Sequence, residues 1–172
     1  MFNLSRSLKL SAVYLSILLL LACSEQQPST AVPVPAGQAE VSLEVFKTET
    51  CECCNDWIEH IKQGGIAANV HHPENLDTVK SEYGIAPRFQ SCHTAISEAG
   101  YVFEGHVPVR FIRQFLSDPP AGAMGLAVAG MPVGSPGMEI GDRFSPYDVL
   151  LLKNDGSSEV YAEVRSAREQ YP

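Results

Sequence analysis

The apolar residues of this chain fall into two repeating patterns. Residues 42–47, Ser-Leu-Glu-Val-Phe-Lys, form a largely alternating apolar run and read as a strand. Asp56-Trp57-Ile58-Glu59-His60-Ile61 is amphipathic with a helical period, which predicts a helix over about 55–63 that Gly64-Gly65 stops. Residues 66–71 read as a second strand. Asn75 can cap a second helix with Leu76, Val79 and Tyr83 on its apolar face, and Gly84 ends it. After a loop at 87–90, residues 94–97 and 101–104 read as two strands joined at Glu98-Ala99-Gly100. Pro108 suits the first turn of a third helix, whose inward face is Phe111, Ile112, Phe115 and Leu116. Residues 121–141 are rich in Gly and Pro, low in charge and without clear period, so they are expected to form a functional loop or a disordered segment. Residues 149–152 and 160–164 then predict a hairpin across Asn154-Asp155-Gly156. The tail 166–172 carries no signal.

Between the first strand and the first helix stands Thr50-Cys51-Glu52-Cys53-Cys54. Free N–H groups and the positive end of the helix dipole favour thiolate at such a place. Thiolate is the nucleophile of disulfide exchange and the soft ligand for Cu(I) or zinc. Cys51 and Cys54 have the two-residue separation of a redox pair, and Cys53 adds a third thiol that offers competing disulfide partners. The same crowding suits a soft metal, because thiolates can bridge ions. The strand-helix-strand-helix-strand-strand-helix order is that of thioredoxin. It implies an α/β, thioredoxin-like three-layer fold, with a Gly/Pro/Met loop and a C-terminal β-hairpin added. In that order the loop carrying Ser91-Cys92-His93-Thr94 packs against the cysteine motif, which makes Cys92 a fourth thiol, open either to a disulfide with a motif cysteine or to copper.

Five matched stretches carry a more specific likeness. They are Cys51-Glu52-Cys53-Cys54; Ser91-Cys92-His93-Thr94-Ala95; Glu104-Gly105-His106-Val107-Pro108; Gly125-Leu126-Ala127-Val128; and the run from Gly130-Met131-Pro132 to Gly137-Met138. In order and spacing the chain resembles the CopG-like family, periplasmic copper-associated proteins with a Cys-x-Cys-Cys motif on a thioredoxin-like fold. The resemblance covers about residues 43–165. It implies copper handling or resistance in the bacterial envelope, with other envelope copper-handling proteins as partners and redox interconversion of Cu(I) and Cu(II) as a further activity. It also strengthens His106 as a ligand.

The amino terminus sets the expected location. Arg6 and Lys9 precede an apolar stretch that ends in Leu20-Leu21-Ala22-Cys23, as in a bacterial lipoprotein signal. The expected organisation is therefore a signal peptide at 1–22, a tether lipidated at Cys23 over 23–40, the metal-binding domain at 41–165, and the tail. Ser24 after Cys23 resembles signals for sorting to the outer membrane, with the domain facing the periplasm. Five cysteines are odd in number; setting Cys23 aside leaves Cys51, Cys53, Cys54 and Cys92. The chain carries a formal charge of −8, and without residues 1–22 ten basic and twenty acidic residues remain, a charge of −10. Such a surface suits cations and argues against nucleic acid.

The expected metal site is Cys51, Cys53, Cys54 and Cys92, with His106, Met131 and Met138 as outer ligands. Thioether binds Cu(I) well and zinc poorly, so the two loop methionines favour copper, as Cu(I) before Cu(II). His93 is balanced between ligand and structural histidine. His60, on the polar side of the first helix, and His71-His72 are set aside. Two rival readings stand beside copper binding. One is a thiol–disulfide oxidoreductase with Cys51 and Cys54 as its catalytic pair; the other is a structural zinc or disulfide module.

Overall fold

The structure is a computed structural model and describes residues 41–171. The expectations for residues 1–40, including the lipidation at Cys23, lie outside the described residues. Among these residues the chain forms a mixed α/β fold with seven strands and three α-helices: β1 (Ser42–Lys47), α1 (Glu52–Gln63), β2 (Ala67–His71), α2 (Leu76–Glu82), β3 (His93–Ser97), β4 (Val102–Glu104), α3 (Val109–Ser117), β5 (Ala123–Ala127), β6 (Tyr147–Lys153) and β7 (Ser158–Val164). Two 3-10 turns, Pro87–Phe89 and Ala167–Gln170, complete it. No helix among the described residues is long and apolar enough to cross a membrane.

One sheet runs in the order β2-β1-β3-β4-β5-β6-β7. β1 lies parallel to β2 and antiparallel to β3; β3 is antiparallel to β4, and β4 parallel to β5. β5, β6 and β7 continue antiparallel. The period-two pattern of β1 places Leu43 and Val45 on the face covered by α1 and α3, where Trp57, Ile61, Ile112 and Phe115 are fully buried. The opposite face carries a smaller core, in which Ile85 and Phe89 pack on Ile96, Val102 and Leu152.

Three local differences from the sequence reading have physical causes. α1 begins at Glu52 rather than near residue 55, so Cys51 is its N-cap residue and Cys53 and Cys54 lie in its first turn. β5 occupies part of the segment expected to lack regular structure. Its run Ala-Met-Gly-Leu-Ala is buried at four of five positions, so no polar alternation marks it. A Cβ on Gly125 would lie 1.8 Å from the Val102 carbonyl oxygen, which explains a glycine inside this strand. The tail, which carried no signal, is packed. Gln170 is fully buried; its amide donates to the Gly134 carbonyl at 2.8 Å and its oxygen accepts from the Tyr147 hydroxyl at 2.5 Å.

Candidate metal centre

The cysteines meet where the carboxyl end of β1, the start of α1 and the start of β3 converge. Cys51 and Cys54 are joined in a disulfide, with Cα atoms 5.4 Å apart; Cys53 and Cys92 are free thiols. The Cys53 sulfur lies 3.6 Å from that of Cys51. Cys54 is fully buried and its sulfur faces the Cys92 carbonyl at 3.7 Å. All four sulfurs lie within 4.8 Å of one another. The loop before β3 thus delivers Cys92 to the motif, as expected.

Cys92 also faces two imidazoles. Its sulfur is 3.0 Å from His106 Nε2 and 3.4 Å from His93 Nδ1, and these three donors form a second group within 4.8 Å. His106 Nδ1 lies 2.8 Å from the Pro136 carbonyl oxygen, which can only accept. The proton is therefore on Nδ1, and the Nε2 lone pair points toward Cys92. This carbonyl bond is the support a metal-binding histidine needs to fix its tautomer. Burial holds His106 below the usual imidazole pKa, with partial opposition from the Pro136 bond. His93 is fully buried against the Trp57 ring, with centroids 4.2 Å apart, and its Nε2 has no hydrogen-bond partner. Burial first, then the neighbouring His106 and Lys80 charges, keep it well below its ordinary value. Burial, followed by the nearby Cys53, pushes the Cys92 thiol up to about 12. Nδ1, the His93 ring nitrogen that faces Cys92, is the atom a soft metal could engage.

The Gly- and Pro-rich loop covers this place. A Cβ on Gly137 would meet the Cys53 carbonyl oxygen at 2.5 Å and the Trp57 amide nitrogen at 2.7 Å, so only glycine lets the loop lie on the first turn of α1. The Ser91 hydroxyl donates a short bond to the Gly130 carbonyl and lies 3.9 Å from the Cys92 sulfur. Met138 is half-buried, whereas Met131 is 53% exposed. The loop backbone therefore reaches the motif. Of its two methionines, Met138 is the more enclosed and Met131 stands at the surface.

Beneath the site is a polar network that pattern reading missed. Lys80 and Glu104 form an ion pair at 2.5 Å with side chains 3% and 0% exposed. Thr94 bonds both partners, and Glu104 accepts the Ser91 amide at 2.6 Å. Glu104 is thus the group that fixes the backbone just before Cys92. The signal for Lys80 was its place one turn after Leu76, on the apolar face of α2. His60 also departs from its expected polar surface: it is half-buried and its Nε2 accepts the Val109 amide of α3 at 2.9 Å. His71 and His72 are exposed and belong to neither donor group, with His71 paired to Glu44.

A family model described as a protein of unknown function, DUF411, matches residues 89–138, the stretch from the Cys92 loop through the glycine-rich loop. Comparison with curated proteins gives no match. Among solved structures, two forms of the copper resistance protein CopG match. Each is 39% identical with a TM-score of 0.69 over 73% of this chain, covering 99% and 98% of their own chains. At that identity, and over nearly the full length of the relative, the chain belongs to the CopG family of copper resistance proteins.

Proposed function

We propose that this protein binds copper for copper handling or resistance, holding Cu(I) through Cys51, Cys53, Cys54 and Cys92, with His106, Met131 and Met138 as further ligands. The observation that carries the reading is the position of Cys92: one sulfur stands within 4.8 Å of three other sulfurs and of two buried imidazole nitrogens. Sulfur-rich sets select Cu(I), while Cu(II) prefers nitrogen and oxygen. The His93 and His106 side of the cluster extends the set to nitrogen, which suits a site that handles both oxidation states. The strand order β2-β1-β3-β4 with β3 antiparallel, together with a cysteine pair at the start of α1, supports the thioredoxin-like reading. β5–β7 and the glycine-rich loop would then be additions to it. A bacterial envelope location, with a lipid on Cys23 after removal of residues 1–22, accords with a disulfide in the folded protein.

Metal and redox state are coupled in this reading. The disulfide withholds Cys51 and Cys54 as thiolate ligands, so a two-electron reductant opens the full sulfur set. In the reverse sense, two Cu(II) ions can take the two electrons released as Cys51 and Cys54 join, giving two Cu(I). The test is metal content and free-thiol count on one purified sample. Reduced protein is expected to bind Cu(I) tightly and lose it on mild oxidation, as the Cys51–Cys54 bond reforms. Equal Cu(I) binding by fully oxidised protein would move the site away from the cysteines. The same disulfide also favours a second reading, thiol–disulfide exchange with protein substrates through Cys51 and Cys54. Catalytic turnover of a disulfide substrate by metal-free protein, without tight Cu(I) binding, would establish it instead.

A further inference from the structure

Two lysines are buried in this small domain, and they are treated differently. Lys80 meets Glu104 in an ion pair. Lys47 is 1% exposed, yet among the described residues no carboxylate lies within ion-pair reach of it. Its ammonium donates only to two backbone carbonyls, Thr48 at 2.9 Å and Glu49 at 3.3 Å. Burying a cation with neutral partners alone is costly. An anion that is present only in another state of the protein would relieve that cost.

The surroundings of Lys47 point to that anion. Along β1 the buried positions are Leu43, Val45 and Lys47, so Lys47 shares the sheet face covered by α1. The Thr48 carbonyl that accepts from the ammonium also accepts the Cys51 amide at 3.2 Å, which places the charge at the turn that carries the motif. Across the sheet, Lys47 is the register partner of His93. Directly opposed side chains in an antiparallel pair share a face with Cβ atoms roughly 5 Å apart, and His93 Nδ1 contacts Cys92 at 3.4 Å. Lys47 is therefore tied to both halves of the sulfur cluster. The N-terminus of α1 adds a second positive end at the same spot. Two positive ends thus stand at the turn that carries Cys51 and Cys54, which as a disulfide carry no charge.

We infer that Lys47 is the fixed counter-cation of the cysteine cluster. It offsets the negative charge that appears when the Cys51–Cys54 disulfide is reduced to thiolates and when those thiolates hold Cu(I). The second half of this statement rests on the copper reading; the first does not. Lys47 is a positioning and electrostatic residue, not a ligand: an ammonium has donors and no lone pair to give a metal.

The redox half is tested on metal-free protein against glutathione. Two glutathiones become one glutathione disulfide as the Cys51–Cys54 bond takes up two electrons; the two protons they lose pass to whichever cysteine sulfurs do not remain thiolate, and otherwise to solvent. Lys47→Gln keeps donors for backbone carbonyls and loses the charge; Lys47→Arg keeps the charge; Lys47→Met loses both. Lys47→Gln and Lys47→Met are expected to shift the equilibrium about tenfold toward the disulfide, about 30 mV for this two-electron couple. Lys47→Arg should stay within about threefold of the parent. If Lys47→Met does not fold, the Gln and Arg pair decides alone. Lys47→Gln matching the parent, with only a melting temperature changed, would reduce Lys47 to a brace for the turn and overturn the proposal. Competition for Cu(I) with a chelator on the same variants tests the second half. A loss of Cu(I) affinity in Lys47→Gln without movement of the glutathione equilibrium would also overturn it. Should the parent bind no Cu(I), the copper reading falls while the glutathione contrast still decides the role of Lys47.

Discussion

The cysteine turn at residues 51–54 and the covering loop at 130–138 face each other across Cys92 and His106, and they are built on opposite principles. The turn is local. Three sulfurs are displayed by the N-cap and first turn of one helix, and four consecutive residues fix their spacing. The loop has no repeating structure and is held from outside. His106 donates to Pro136, Ser91 to Gly130 and Gln170 to Gly134, so three distant segments each grip one of its carbonyls. The difference teaches where reactivity and geometry come from. A regular element presents the reactive atoms, and long-range hydrogen bonds determine what closes over them.

The sharpest way to break this arrangement is at the joint between the two regions. Glu104 holds the Ser91 amide and neutralises Lys80. Glu104→Leu leaves a buried ammonium without its anion and is expected to cost about 3–5 kcal/mol in urea unfolding. The double variant Lys80→Met with Glu104→Leu should recover much of that loss, because apolar replacement of a buried pair is often close to neutral. A single variant as stable as the parent would show that the pair does not order this joint.

The next effect separates the loop from the turn. Gly137 has φ +84°, and an added Cβ would press on the backbone of Cys53 and Trp57. Gly137→Ala is expected to cost about 3 kcal/mol, combining strain with displacement of the loop. Its alkylation rate at Cys53 should rise in the native state as the cover lifts. An unchanged rate would mean that the loop does not shield the motif.

Both regions also hang from a neutral imidazole, which makes acid a third probe. The Val109 amide donates to His60 on the helix that carries the motif, and burial lowers His60 to about 4. The folded pKa lies below the unfolded value near 6.5, so the unfolded chain binds more protons between them. The contribution is complete above pH 6.5 and is lost as pH falls toward 4. It amounts to about 2 kcal/mol once the partial exposure of the ring is allowed for. His106, also lowered, acts in the same direction at the loop. Urea midpoints from pH 7.5 to 4.5 should fall, and His60→Gln should flatten part of that fall. A parallel profile in the variant would exclude His60 as a source of the acid sensitivity.

The smallest expected effect tests whether the loop gives ligands or only cover. Met131→Leu with Met138→Leu keeps volume and apolarity while removing both thioethers. Cu(I) affinity, read by chelator competition, should fall about tenfold, or about 1.4 kcal/mol. Reactivity of Cys51 and Cys54 with a disulfide reagent after reduction should change little. Most of the loss should follow Met138, the more enclosed of the two. Unchanged affinity would make both methionines packing.

The sequence alone determined the elements whose signals are local. The alternation of residues 42–47, the helical spacing of Trp57, Ile58 and Ile61, the Asn75 cap and the inward face of α3 all depend on neighbours within a turn or two. It also indicated that Cys92 would join the motif, because the order of elements restricts how the sheet can be wound. Only the tertiary structure decided the rest. β5 has no polar alternation because its surroundings bury both of its faces. Lys47 falls in the buried phase of β1 and Lys80 on the apolar face of α2, and neither was singled out by the pattern. Which of them finds an anion depends on Glu104, which comes from a strand that neither β1 nor α2 specifies. His93 changed from an even choice to a sulfur neighbour through the register of β3 against β1 and the packing of Trp57. Local patterns record which groups a segment must bury; where a buried charge or imbalance finds its partner is fixed only when segments distant in the chain are brought into contact.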